Sequence, residues 1–447
     1  MPPAAEMFLP SVEQERLVLS ERTNVEWRTA TQGDISSLTG LRGLAAIHIL
    51  MFHLYAYFDR SVPTRKIPRW IENGPCSVTV FYVLSGFVLS LVADREPQPA
   101  SRASFYAKRF ARLVPLYWLG LLLYACNPSL LRLFWSGSDG INQRIVYHQT
   151  DMLLTLVLTP LAVQTWIPFR QIWFLWNGVG WSVSNEVFFY LIFPIVHPMV
   201  ARWSGTVSRT YCAISALCVL QGVCVVAYSW AVCLVWKGLD PSRAVRSVEM
   251  EVYASPFIRV FHFLMGMLLG SRFRRADTKP PAWAADVAVA TCILLLVAVP
   301  VTVNGGYVLN DRSFQAIAAV TFWLLGPAFG AAIYCMAFDQ GGLSCRLLGS
   351  RPLVHLGKWS YAIYILHLPL LAWYVYTIRG GGSQSVYCIM GNHHACEGGL
   401  LGGHLAAAVM LVVVLSAAAH VTIEAPLQRW LRQRLLTQHA CWCKGSR

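Results

Sequence analysis

The chain has 447 residues, of which 56% are hydrophobic and only 13% charged, against about 25% charged in a soluble domain. That deficit excludes an ordinary soluble globular protein and points to a polytopic membrane protein. The net charge of +14 comes without a basic low-complexity tail or a nucleic-acid fold signature, so it reads as basic cytoplasmic loops rather than a nucleic-acid surface.

Residues 1–37 are polar, with scattered charges of both signs, and lack the charged start and apolar run of a secretory signal. They are expected to form a cytoplasmic N-terminal segment. Apolar runs follow at about 38–58, 75–93, 113–126, 150–167, 181–200, 210–236, 257–271, 283–303, 314–338, 354–378 and 402–421. The segment after the second run carries Arg95, Arg102, Lys108, Arg109 and Arg112, and so belongs in the cytoplasm. If all eleven runs cross, the loops holding Arg272, Arg274, Arg275 and Lys279, and Arg346 with Arg351, fall outside. The run 150–167 contains Asp151, Pro160 and Gln164. Leaving it uncrossed returns both loops, and the group Arg429, Arg432 and Arg434, to the cytoplasm. The expected fold is therefore all-α: about ten transmembrane helices in a single bundle over 38–432, both termini cytoplasmic, and a short tail at 433–447.

Most of the 13 cysteines lie in apolar runs, where a small packing residue is the plain reading. Cys388 and Cys396 instead share a polar, outward loop with His393 and His394. Their C-x4-H-H-x-C spacing is not a standard zinc pattern. No metal site is expected, and a disulfide is the favoured reading.

The first run, LTGLRGLAAIHILMFHLYAYF, carries Arg42, His48 and His53. Ionisable groups in a span are costly and face a cavity or a partner. Arg42 and His53 have ten residues between them, or ~16 Å of helix. His48 reads as a structural hydrogen-bonding group. In the second run, FYVLSGFVLS, packing is the leading reading of Ser85 and Gly86. Arg109 and Arg112 lie on one face at the cytoplasmic mouth of the third run. They either obey the positive-inside rule or bind a polyanion. In WSVSNEVFFYLIFP, Ser182 and Glu186 are four apart on one face. With ten spans, Glu186 reaches the depth of His53 to within roughly one turn, which allows a carboxylate to orient an imidazole. In GKWSYAIYILHLPLL, Ser360, Tyr361, Tyr364 and His367 form a polar stripe, either a satisfied network or a substrate wall. In IEAP, Glu424 is placed to pair with a mouth arginine.

These motifs, in order and with IEAPLQRWL, resemble acyltransferase family 3 of integral-membrane acyltransferases over residues 38 to about 432. The resemblance implies a ten-helix domain that moves an acyl group, commonly acetyl from acetyl-CoA, onto a hydroxyl of a carbohydrate, lipid or small molecule. It implies His53 and Glu186 as catalytic residues. Arg42, Ser85, Gly86, Arg109, Arg112, Trp181, Ser182, Tyr361 and His367 are implied in substrate or CoA binding. No permanently bound cofactor is implied; acyl-CoA is the donor substrate. The chain departs from many relatives in having Asn185 where the first of two acidic residues stands. A transporter or flippase of an anionic or acylated solute is the alternative, since intramembrane His and Glu also suit proton relays. No inverted repeat or matched pair of broken helices supports it.

Overall fold

The computed structural model describes residues 35–55, 68–94, 101–128, 149–168, 170–173, 176–239, 252–298, 312–338, 341–378, 402–431 and 433–434. Every regular element among them is helical. The helices are α1 (Ser36–His53), α2 (Ser77–Ala93), α3 (Arg102–Ala125), α4 (Gln149–Leu158), α5 (Gly180–Trp203), α6 (Val207–Leu239), α7 (Pro256–Arg274), α8 (Trp283–Ala298), α9 (Arg312–Ala337), α10 (Ser360–Ile378) and α11 (Gly402–Ala419). Short helices cover Arg69–Glu72, Arg170–Trp173, Leu343–Leu348 and Arg351–Lys358. Cys388 and Cys396 lie outside the described residues, as do positions 1–34 and 435–447.

Among the described residues, five helices are long and apolar enough to cross a bilayer: 74–93, 180–203, 207–232, 360–378 and 404–431. They divide by burial. Of the most apolar stretch, 72% is buried in 74–93 and 61% in 360–378, against 11% in 207–232 and 17% in 404–431. The outer pair turns Val219, Val223, Val226, Trp230, Met410 and Val414 outward, as a lipid-facing surface requires. α2 and α10 belong to the interior.

Two seams bring backbones together. A Cβ on Gly86 of α2 would collide with the Phe263 carbonyl of α7; one on Gly266 or Gly270 would collide with the Val83 or Phe87 carbonyl. Gly266 and Gly270 form a G-x-x-x-G stripe, the small-residue spacing that admits close helix contact in membranes. Gly86 thus packs directly against the α7 backbone. At the second seam, Gly40 of α1 approaches Leu348, and Gly357 of the 351–358 helix approaches Thr39. This contact splits the apolar run 354–378: one helix ends at Lys358, and α10 restarts at Ser360.

The run 150–167 forms a helix of 10 residues, spanning ~15 Å, half of a bilayer core. Beyond it, Ala162 takes a left-handed backbone (φ 54°), uncommon for a residue with a Cβ. The chain then folds back onto α5. The Thr165 hydroxyl donates to Asn185 Oδ1 at 2.9 Å, and the Trp166 indole donates to the Ser184 carbonyl at 3.3 Å.

A polar clasp joins the ends of α2, α5 and α7. Asp94 meets His197 and Arg275, each at 3.2 Å. Burial works against its charge. Hydrogen bonds from His197 and Ser271 and the Arg275 guanidinium outweigh that and hold its carboxyl below the ordinary value.

Candidate active site

α1, α2, α3, α5 and α10 line a small, partly open cavity of about 50 Å³. Its polar wall is Arg42, Ser85, Arg109, Arg112, Ser182, Glu186, Ser360, Tyr361 and Tyr364; its apolar wall is Val78, Phe81, Leu84, Val88, Leu89 and Val183. Nine residues singled out in sequence therefore meet in one place: Arg42, Ser85, Arg109, Arg112, Ser182, Glu186, Ser360, Tyr361 and Tyr364. The helical period explains the apolar wall. Positions 78, 81, 85 and 88 recur every three or four residues, so Ser85 carries Val78, Phe81 and Val88 onto the same face of α2.

The arginines are held in place. The Arg109 guanidinium lies 5.4 Å from the Phe105 ring and 5.8 Å from the Tyr190 ring. Tyr190 donates to Glu186 Oε2 at 3.1 Å. Glu186 and Glu424 are both within Coulombic reach of Arg42 and Arg112. Glu424 is buried on a π-helical turn, His420–Glu424, where His420 Nδ1 donates to it at 2.7 Å. The π turn sets this carboxylate against the arginines, as the IEAP motif allowed. Tyr361 donates to the Leu113 carbonyl at 2.6 Å and locks α10 to α3 beside the cations.

Beyond this cavity lies a pair of histidines. The Tyr364 ring, on the cavity wall, is 6.0 Å from both the Phe81 and the His367 rings. The His367 ring is 4.9 Å from that of His53, and His367 Nε2 is 3.1 Å from His53 Nδ1. His53 Nδ1 also lies 3.0 Å from the Ile49 carbonyl. One aromatic layer, Phe81 and Tyr364, thus separates the arginine cavity from the imidazoles.

Glu186 stands elsewhere than expected. It shares a wall with the arginines, and the group set against His53 Nδ1 is His367. α5 directs Ser182, Val183 and Glu186 into the cavity that Arg42 lines, so Glu186 sits towards the Arg42 end of α1 and not beside His53. His367, expected at a substrate wall, is buried with no exposure.

Trp181 also leaves the cavity wall. It packs 4.9 Å from the Tyr253 ring and beneath Arg259, whose guanidinium carbon lies 5.8 Å from it. Arg259 is buried, donates to the Tyr253 carbonyl at 2.6 Å and to Thr79 Oγ1 at 3.0 Å, and lies 4.2 Å from the Tyr253 ring. An arginine inside the apolar run 257–271 was the signal that could have marked this nest. His48 is structural as expected: it bonds Ser77 Oγ at 2.8 Å and the Trp70 carbonyl. The Asn185 amide donates to Tyr82 Oη at 3.1 Å and to the Ala254 carbonyl at 3.0 Å. An ionised carboxylate could accept from the Tyr82 hydroxyl but could not donate to the Ala254 carbonyl, which accounts for the amide at this position.

Fold and cavity define the class: a helical membrane protein whose interior pairs an arginine-lined cavity with two adjoining histidines, His367 buried and His53 partly so. A family model for the acyltransferase domain matches residues 35–421; the chain belongs to acyltransferase family 3 and is an O-acyltransferase. It is 26% identical over 412 residues to an acyltransferase, MdmB, of Streptomyces mycarofaciens, covering 90% of this chain and 93% of that protein. It is 22% identical to the peptidoglycan O-acetyltransferase OatA of Listeria monocytogenes, covering 75% of this chain and 49% of the relative. It is 22% identical to the O-acetyltransferase OatA of Staphylococcus aureus, covering 79% and 54%. The chain thus spans about half the length of the two OatA proteins. No solved structure matches it.

Proposed function

We propose that the chain transfers an acyl group, acetyl in the simplest case, from acyl-CoA to a hydroxyl of a carbohydrate, lipid or small-molecule acceptor. The observation that carries this reading is the cavity itself. Three arginines converge on one end, which suits the phosphates of CoA. An apolar wall then leads to the Phe81–Tyr364 layer and His53.

In this reading about ten helices cross the membrane, with both termini cytoplasmic. The ten helices α1–α3 and α5–α11 fit that count, as does the shortness of α4. CoA enters from the cytoplasm with its phosphates against Arg42, Arg109 and Arg112. Glu186 and Glu424 hold those guanidiniums apart and limit their mutual repulsion. The pantetheine arm extends along α1, and the thioester reaches His53 once the Phe81–Tyr364 layer yields. His53 takes the proton of the acceptor hydroxyl. The oxygen forms the new bond to the acyl carbon, the C–S bond breaks, and the CoA sulfur leaves with the proton returned by His53. A thioester is already activated, so positioning plus one base suffices. The Listeria monocytogenes relative is a peptidoglycan O-acetyltransferase, which favours a carbohydrate acceptor.

The test is purified protein given labelled acetyl-CoA and a panel of sugars. Labelled ester and free CoA should form together, and His53→Ala should abolish both. A transporter would leave the thioester intact, and near-normal transfer by His53→Ala would remove the base from the scheme.

A further inference from the structure

The two histidines are 314 residues apart in sequence, and their hydrogen-bond partners settle which nitrogens carry protons. His367 Nδ1 lies 2.6 Å from the Tyr364 carbonyl and 3.2 Å from the Ile363 carbonyl. Carbonyl oxygens only accept, so His367 Nδ1 is protonated, and in the neutral ring Nε2 carries the lone pair. That lone pair faces His53 Nδ1 at 3.1 Å. His53 Nδ1 in turn faces the Ile49 carbonyl at 3.0 Å, so it also carries a proton. One N–H shared between two acceptors is ordinary three-centre geometry. In neutral His53 the remaining lone pair is then on Nε2.

We infer that His367 is a positioning residue. Its Nε2 accepts the His53 Nδ1 proton and so holds His53 in the tautomer whose Nε2 is the proton acceptor. This rests on the reading of His53 as the base. In the reaction, the acceptor O–H proton moves to His53 Nε2, and the cation so formed is met at Nδ1 by two acceptors, Ile49 O and His367 Nε2. The proton then leaves on the CoA sulfur, which returns both rings to their starting forms. The more familiar orienting group for a catalytic imidazole is a carboxylate. Here the neutral second imidazole takes that place, and it brings no net charge into the apolar interior.

Sequence period also explains why His367 is rigid. Its Nδ1 is tied to its own helix at Ile363 and Tyr364, and Tyr364 is tied to the Val179 carbonyl at 3.3 Å. Two links therefore connect the His53 tautomer to the segment that opens α5.

The experiment compares the full-length protein with His53→Ala, His367→Leu and His367→Gln, reading kcat and the donor KM separately. His367→Leu should lower kcat about 100-fold with the donor KM within about twofold, because the phosphate contacts are intact. His367→Gln, whose side-chain oxygen can accept the Nδ1 proton, should recover at least about tenfold of that loss. An inactive His53→Ala beside a His367→Leu enzyme of normal kcat would overturn the positioning role and leave the base in place. An active His53→Ala would instead defeat the base itself. Equal losses in the Leu and Gln variants, with parallel losses of thermal stability, would reduce His367 to packing and also overturn the inference. A second measurement needs no variant at 367. The 15N spectrum of histidine-labelled protein, with His53 assigned by its absence in His53→Ala, should show an unprotonated Nε2; a protonated Nε2 with a bare Nδ1 would contradict the proposal.

Discussion

The two ends of α1 solve opposite problems. At the Arg42 end three guanidiniums share a cavity with Glu186, and Glu424 lies within Coulombic reach. At the His53 end two imidazoles meet, and each also faces a backbone carbonyl. The first end is arranged to hold a charge that comes and goes with a ligand. The second is arranged to hold a proton whose position matters more than any standing charge. About 16 Å of one helix separates them, so in the proposed scheme one rigid element sets the distance between donor recognition and chemistry.

Replacements along α1 and its neighbours should separate the two ends. The largest effect belongs to His53→Ala, which should lower kcat by about 10²–10⁴-fold in a steady-state transfer assay while the donor KM stays near normal. Arg112→Ala should act at the other end. Losing a charge-assisted contact of about 1.5–3 kcal/mol raises the donor KM roughly 10–100-fold, with kcat little changed. A fall in kcat alone would place Arg112 outside donor binding. Gly266→Val should cost about 1–3 kcal/mol of stability through overpacking at the α2–α7 seam, read as a lower thermal midpoint with unchanged donor KM.

Smaller still is Asp94→Asn. Because the folded state holds the Asp94 carboxyl below its ordinary value, its contribution is present above the unfolded pKa and is lost as pH falls through the lower folded one. The stability gap between parent and variant should therefore be constant near neutrality and close below about pH 4; a gap that persists in acid would contradict the clasp. Smallest is His48→Gln, on the same helix as His53. It should cost about 1 kcal/mol of stability and leave kcat within about twofold. A loss as deep as that of His53→Ala would erase the distinction between the two histidines.

Much of this was legible in the sequence, for physical reasons. Apolar runs found the helices because a span must satisfy its backbone internally. The polar content of 150–167 marked a segment whose helix is only 10 residues long. Arg42, Arg109, Arg112 and Glu186 were visible because charge is rare in apolar helices, and all four reached the cavity. What was hidden depends on how the helices rotate and slide against one another. Glu186 joins the arginines at the Arg42 end of α1 rather than His53. Trp181 turns away from the cavity wall towards Tyr253 and Arg259. Gly86 meets a carbonyl of α7, whose own glycine stripe lies about 180 residues away in sequence. The His53–His367 contact joins helices at opposite ends of the chain, and no local period encodes it.

Equilibrium binding of CoA to Arg42→Ala and to His53→Ala, side by side, tests the division of labour along α1 most directly. The account predicts that His53→Ala binds within about twofold of the unmutated protein, while Arg42→Ala binds at least about tenfold more weakly. Weakened binding by His53→Ala together with normal binding by Arg42→Ala would contradict it.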